Sequence, residues 1–216
     1  MAGKFNMLPS ISRNALLLAA FAILCTGSVA VVNELTQPKI AQQEQKALLK
    51  TLSQLVPRSQ YDNDVVASCF TVTNKNLLGS AQAQQVFIAK KDNQPIAVML
   101  EVTTMSGYSG RINLLVGIYE NAQIAGVRVV QHTETPGLGD KIQTNKSDWI
   151  YTFDGLAYQE TQNSRWDVKK NGGDFDAFTG ATITPRAVVF AVKDALIYFN
   201  NNKDKLFKHD ANCGEI

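Results

Sequence analysis

The chain has 216 residues, 45% of them hydrophobic, with 21 basic and 19 acidic side chains giving a formal charge of +2. That length and apolar content support one packed domain with appendages and exclude an intrinsically disordered chain. The near-balanced charge, without a basic stripe interleaved with aromatics, excludes a nucleic-acid partner.

The first element is the uncharged run Ala15 to Val32, "ALLLAAFAILCTGSVAVV". As a helix it would be about 27 Å long, close to the hydrocarbon thickness of a bilayer, so residues 15–32 are expected to cross a membrane. Lys4, Arg13 and the amino terminus precede it, which by the positive-inside rule leaves residues 1–14 in the cytoplasm and sends Asn33 onward to the other side. The same stretch also fits a cleaved signal peptide, with "SVA" at Ser28 to Ala30 as the small-residue cleavage site. Both readings export the main domain. Cys25 follows the large Leu24 and so does not suit a lipoprotein site.

Residues 33–58 form the next predicted element, a juxtamembrane helix with Pro38 near its first turn and Ile40, Leu48, Leu52, Leu55 and Val56 on one face. From Val86 to Val130 the hydrophobic period changes to two, with Ile96, Val98, Leu100 and Val102, then Ile112, Leu114, Val116 and Ile118. The turn-like separators "KDNQP" and "ENAQ" predict an antiparallel meander of about four strands, with "FTVTNKNLLG" a weaker candidate. Asp140 is placed to cap a helix carrying Ile142, Trp149, Ile150 and Phe153. A last helix is predicted from Pro185 to about Asn200, with Thr184 as its cap, followed by a polar tail over 201–216 that leaves the globular body. The fold class is therefore α+β, an antiparallel sheet with packed helices.

Cys25 lies in the membrane segment, leaving Cys69 and Cys213 in an oxidising compartment. Sequence sets no distance between them, so a disulfide and two unrelated thiols both remain open. A zinc site at His209 and Cys213 finds no ligand spacing around His132 or Cys69.

Three glycine-containing segments punctuate the domain: "TTMSGYSGR" (Thr103 to Arg111), "HTETPGLGDKI" (His132 to Ile142) and "FDAFTGATITPR" (Phe175 to Arg186). Gly137 and Gly139 do not make a dinucleotide fingerprint, because Ile142 stands where the third glycine belongs and the strands are not in βαβ order. Thr179, Gly180, Ala181 and Thr182 form a small, hydroxyl-rich approach to the last helix, whose N-terminal partial charge favours a phosphate. Tyr108, Glu134, Thr135 and Leu138 together offer a ring, hydrogen-bonding groups and an apolar surface suited to a planar heteroaromatic ligand.

"DAFTGAT", Asp176 to Thr182, fits the Asp-x-x-Ser/Thr-Gly-Ala-Thr pattern of domains that carry FMN through a phosphoester to the final threonine. With "SGYSG", "ETPGLGDKI" and "TGATITPRAV" in the same order, the chain resembles the G subunits of Rnf (Rsx) electron-transport complexes, relatives of the C subunit of the sodium-pumping quinone reductase Nqr. The resemblance implies that Thr182 bears the flavin and that Thr179 fills the Ser/Thr position. By the same resemblance Asp176 serves modification or local structure, and Gly180 and Ala181 leave room for the phosphate and ribityl chain. It further implies a separate flavin transferase acting from FAD with a divalent metal, other membrane subunits as partners, and an FMN-binding domain over 59–200 on the periplasmic side of a bacterial inner membrane. The redox role would belong to the complex, which moves electrons between ferredoxin and NAD and translocates ions. No stand-alone catalysis is expected of this chain. Two other readings are a non-redox assembly subunit and a soluble exported flavin carrier cut after Ala30.

Overall fold

A computed structural model describes residues 8–213, so Lys4, the amino terminus and the last three residues lie outside the described residues. The chain divides into two compact units, Met1–Leu48 and Leu49–Ile216.

In the first unit the membrane candidate and the juxtamembrane segment are not two helices. A single helix α1 runs Leu8–Leu55 with Pro38 in its interior, so Pro38 does not start a helix as its position suggests. One missing N–H removes a single rung, and the flanking turns carry the helix across it. The helix is long and apolar enough to cross a membrane, with an 18-residue window of mean hydropathy 2.5, none of it buried within the protein.

In the second unit five antiparallel strands follow one another as a meander: β1 Phe70–Asn74, β2 Ser80–Lys91, β3 Gln94–Gly107, β4 Gly110–Tyr119 and β5 Ile124–His132. The sheet has one strand more than the four expected, because "FTVTN" pairs with the N-terminal half of β2 before the four-residue helix α2, Lys75–Leu78. Asp92 and Asn93, both at positive φ, make the two-residue turn between β2 and β3.

The two faces of the sheet are covered differently. On one side Val98, Leu100, Val102, Leu114 and Val116 meet Val188, Val192, Leu196 and Phe199 of the last helix in the main core. On the other side the final turns of α1 bury Leu52 and Leu55. Gly117 and Gly126 face each other across β4 and β5, and a Cβ on Gly117 would fall 3.2 Å from the Cβ of Leu55. The paired glycines thus form a shallow seat for that leucine. Arg128, buried beneath, donates from Nη2 to the Gln54 carbonyl at 3.1 Å and stacks on Tyr151. A cation at a helix C-terminus satisfies carbonyls that the helix itself leaves unpaired.

Asp140 does not cap a helix. The segment folds as two short 3-10 helices, Gly139–Ile142 and Asp148–Phe153, and Ser147 caps the second by accepting from the Trp149 N–H. Ile142, Trp149, Ile150 and Phe153 nonetheless reach the core. The polar stretch "QTNKS" between them offers no buried face, which is why one helix does not run through.

The last helix, α3, spans Ile183–Phe207, longer at both ends than expected. Its C-terminal extension buries Leu206. The tail does not leave the body: the Thr71 N–H donates to Asn212 Oδ1, His209 stacks on Phe70 at 4.2 Å, and Cys69 is disulfide-bonded to Cys213. Cys25 is free and exposed.

Candidate functional site

The "FDAFTGAT" segment is held from below by aromatic rings. Phe175 and Phe178 are buried, Phe175 stacking on Phe153 at 4.7 Å and Phe178 meeting Trp149 edge-on at 5.2 Å. Trp149 also donates its indole Nε1–H to the Asp176 carbonyl at 2.8 Å. Rings of this size supply the apolar area that fixes a loop whose intervening residues are small and polar.

Between Phe178 and α3 the backbone makes one tight turn. The Ala181 N–H donates to the Phe178 carbonyl at 3.0 Å, and Gly180 at the third position has φ +79°. A side chain is strained in that conformation, which accounts for glycine there. The turn presents Thr179 and Gly180 to solvent and delivers half-buried Thr182 to the N-cap of α3. Thr182 has helical dihedrals and makes no side-chain capping bond, so its hydroxyl is not consumed by the helix. The first N–H groups of α3 are those a helix leaves without internal acceptors, and Pro185 contributes none.

Thr184 departs from its expected role as cap. It lies inside α3, fully buried, and its hydroxyl donates to Glu134 Oε2 at 2.5 Å. The other carboxylate oxygen accepts the Ser109 N–H at 3.0 Å. Glu134 itself is only 4% exposed. Two glycines make room for it: a Cβ on Gly107 would stand 2.7 Å from Oε1, and one on Gly139 would stand 2.7 Å from Oε2. One carboxylate thereby joins all three glycine segments. This is the feature of the site that residue-by-residue reading misses, although a threonine on the buried stripe of Ala187, Val188, Ala191 and Val192 does signal a buried polar partner.

The expected site residues therefore fall into two groups. Tyr108 occupies the tip of the two-residue turn between Gly107 and Gly110 and is 69% exposed, while Leu138 is 42% exposed and lies 3.6 Å from where a Cβ on Gly180 would stand. Leu138 thus offers apolar surface beside the Gly180 turn, and Tyr108 offers an exposed ring at the tip of its own turn. Glu134 points into the scaffold, and the Thr135 carbonyl accepts the N–H groups of Leu138 and Gly139, shaping the turn that carries Leu138. Asp176 is exposed and paired with Lys169 at 2.7 Å. Arg186, one turn past Thr182, is bound by Asp167 through Nε at 3.0 Å and Nη2 at 3.2 Å. Burial pushes the Asp167 carboxyl up, but bonds from Arg186, the Val168 N–H and Asn171 outweigh it and hold the group below the usual carboxylate range.

These residues fit a phosphate-bearing ligand: an unspent hydroxyl at a helix N-terminus, a glycine turn ahead of it, and exposed aliphatic surface of Leu138 beside that turn. The family described as the RnfG N-terminal region matches residues 7–55, and that described as the FMN-binding domain matches residues 107–197, which contain the Gly107, Gly139 and Gly180 turns. The chain is similar to proteins named as the G subunit of an ion-translocating oxidoreductase complex. That of Shewanella piezotolerans is 46% identical over 96% of this chain and 98% of its own length. That of Shewanella oneidensis is 48% identical over 93% and 95%, and that of Vibrio cholerae 45% identical over 96% and 99%.

Proposed function

The chain belongs to the family of G subunits of ion-translocating oxidoreductase complexes, and from that membership we propose that it carries electrons through FMN bound as a phosphoester to the Thr182 oxygen. The observation that carries this reading is that Thr182 stands at the N-cap of α3 without spending its hydroxyl there. The flavin, when bound, supplies the redox chemistry. The protein's part is positional. The α3 N-terminus offers N–H groups and a favourable dipole to a phosphodiester, and Gly180 keeps the approach to it free of side chains. Tyr108 and Leu138 present apolar surface to the ring, and the Glu134 carboxylate fixes their loops relative to α3.

A threonine hydroxyl is a poor nucleophile without a base, and Glu134 is bonded to Thr184 and Ser109. Attachment is therefore assigned to a separate flavin transferase acting from FAD with a divalent metal. Asp176, Thr179 and Lys169 stand on the exposed side of the motif, where such an enzyme can reach them. A span within α1 anchors the chain in the inner membrane with residues 59 onward on the periplasmic side, as one of several subunits of an Rnf-type complex. The Cys69–Cys213 disulfide suits that compartment.

The test is co-expression of the full chain with a flavin transferase, denaturation, and in-gel flavin fluorescence beside Thr182→Ala. The variant is expected to be dark while remaining in the membrane. Fluorescence that survives the substitution moves the attachment elsewhere. A reporter fused after Ile216 is expected to be active outside the cytoplasm, and a cytoplasmic signal reverses the orientation.

A further inference from the structure

Among the described residues only Glu134 and Asp140 bury an acidic side chain, at 4% and 6% exposure, and both stand in the loop after β5 that carries Gly137 and Gly139. Neither is neutralised by a buried cation. The Glu134 oxygens accept from a main-chain N–H and a hydroxyl, both uncharged. His132, beside it, accepts the Glu134 N–H on Nδ1 at 3.0 Å, a role that a protonated ring cannot fill. Asp140 Oδ2 has Lys146 at 3.8 Å, on a side chain half open to water, and Oδ1 has no hydrogen-bond partner among the described residues. Arg128, the one buried base among them, is engaged at the end of α1 by the Gln54 carbonyl and the Tyr151 ring.

Burying a carboxylate without a cation costs stability, and such charges gather where a site needs them. Both of these lie at the foot of the candidate site. Glu134 Oε2 is 2.5 Å from the Thr184 hydroxyl, and Thr184 is two residues, about 3 Å of helix rise, from Thr182. Gly139 stands against the same hydroxyl, since its Cβ would fall 2.9 Å away, and Asp140 is the next residue.

We propose that Glu134 and Asp140 set the electron affinity of the redox group carried at Thr182, their buried charges disfavouring the arrival of electrons and holding its midpoint potential down. The inference rests on the reading of Thr182 as the flavin-bearing residue. A charge in a low-dielectric interior acts over several ångströms without contact, and salt screens it far less than a surface charge. The opposing partial charge at the α3 N-terminus is about half of one unit, against two full carboxylates. The two side chains act as a fixed field beneath the site, and neither has to touch the cofactor.

The test is a spectroelectrochemical titration of the flavinylated full chain in detergent, with redox dyes as mediators. Glu134→Gln and Asp140→Asn each remove one charge and keep the shape of the side chain. Each is expected to raise the midpoint, the ratio of reduced to oxidised flavin at fixed ambient potential growing about tenfold, which is about 30 mV for a two-electron couple. The rise is expected to persist in about 1 M salt, where surface charges are screened within about 3 Å. Asp140→Asn keeps the test readable if Glu134→Gln folds poorly, because Oδ1 has no bond to lose. Thr184→Val loosens the clasp while leaving both charges in place, and is expected not to raise the midpoint. Midpoints unmoved by both neutralising variants, a rise that vanishes in salt, an equal rise in Thr184→Val, or failure of both neutralising variants to take up flavin overturns the proposal. Flavin found on another residue of the parent chain withdraws the attachment reading and this inference with it, whereas unmoved midpoints on a Thr182-linked flavin withdraw this inference alone.

Discussion

Replacing Thr184 by valine removes one hydroxyl and almost nothing else. Thr184 is fully buried, valine fills the same volume, and the two residues have similar helix propensity, so neither a cavity nor a backbone effect contributes appreciably. What is lost is the donor to Glu134 Oε2, on a side chain that is 4% exposed and cannot turn to water for a replacement. A hydrogen bond to such a group contributes about 1.5–3 kcal/mol, and the orphaned acceptor places Thr184→Val in that range. For a body of this size each kcal/mol moves the midpoint by about 2–4 °C, so a fall of about 3–12 °C is expected. Thr184→Ser keeps the donor and loses one methyl group, which costs about 1 kcal/mol. Urea unfolding of the full chain in detergent, followed by the fluorescence of buried Trp149 and Trp166, measures both variants. A valine variant within about 0.5 kcal/mol of the parent, or a serine variant less stable than the valine one, refutes the account of Glu134 as the clasp of three loops.

Reducing the Cys69–Cys213 bond, which spans 144 residues of sequence, releases a long loop. On the chain-entropy scale this removes up to about 5 kcal/mol of stability, so thermal melts with and without reductant should differ by several degrees. Gly117→Val forces side-chain atoms into the contact with Leu55 and is expected to cost about 1–3 kcal/mol, read by the same urea titration. Because the Asp167 carboxyl titrates below its unfolded value, its contribution is complete above the unfolded range near pH ~4 and is lost as pH falls through the folded value. Asp167→Asn should therefore flatten the acid limb of the stability profile, and an unchanged limb rejects that assignment. Leu138→Ala and Tyr108→Ala are each expected to shift the absorbance spectrum of the flavinylated protein without abolishing attachment, and an unshifted spectrum removes that residue from the ring contacts.

Period-two runs such as Ile96 to Val102 and Ile112 to Ile118 are legible as strands because one face of each is buried, which forces alternation. The extra strand is harder to see. "FTVTN" borders the sheet and has a single strand neighbour, so its pattern carries less constraint. Helix ends mislead in a consistent way: Thr184 and Asp140 both look like caps by residue type, yet both are buried in the tertiary structure. Cap preferences describe an isolated helix end and do not foresee a carboxylate arriving from 50 residues away. The tail looks dispensable because its composition is polar, and its attachment depends on Asn212, His209 and Cys213 meeting one short strand. For the site, the order of motifs places Thr182, Thr179 and Gly180 on one turn, whereas the inward role of Glu134 emerges only with Ser109 and Thr184 on its two oxygens.

That two-sided grip also imposes a chronology. Glu134 and Ser109 leave the ribosome well before Thr184, so the nascent sheet waits with its clasp open until α3 docks. A flavin transferase of the kind proposed, if it recognises the finished turn at Gly180, would meet that turn only on chains in which α3 has docked. On the proposed attachment at Thr182, chains stalled before α3 docks would go unmarked, so a bound flavin would report that the clasp has closed.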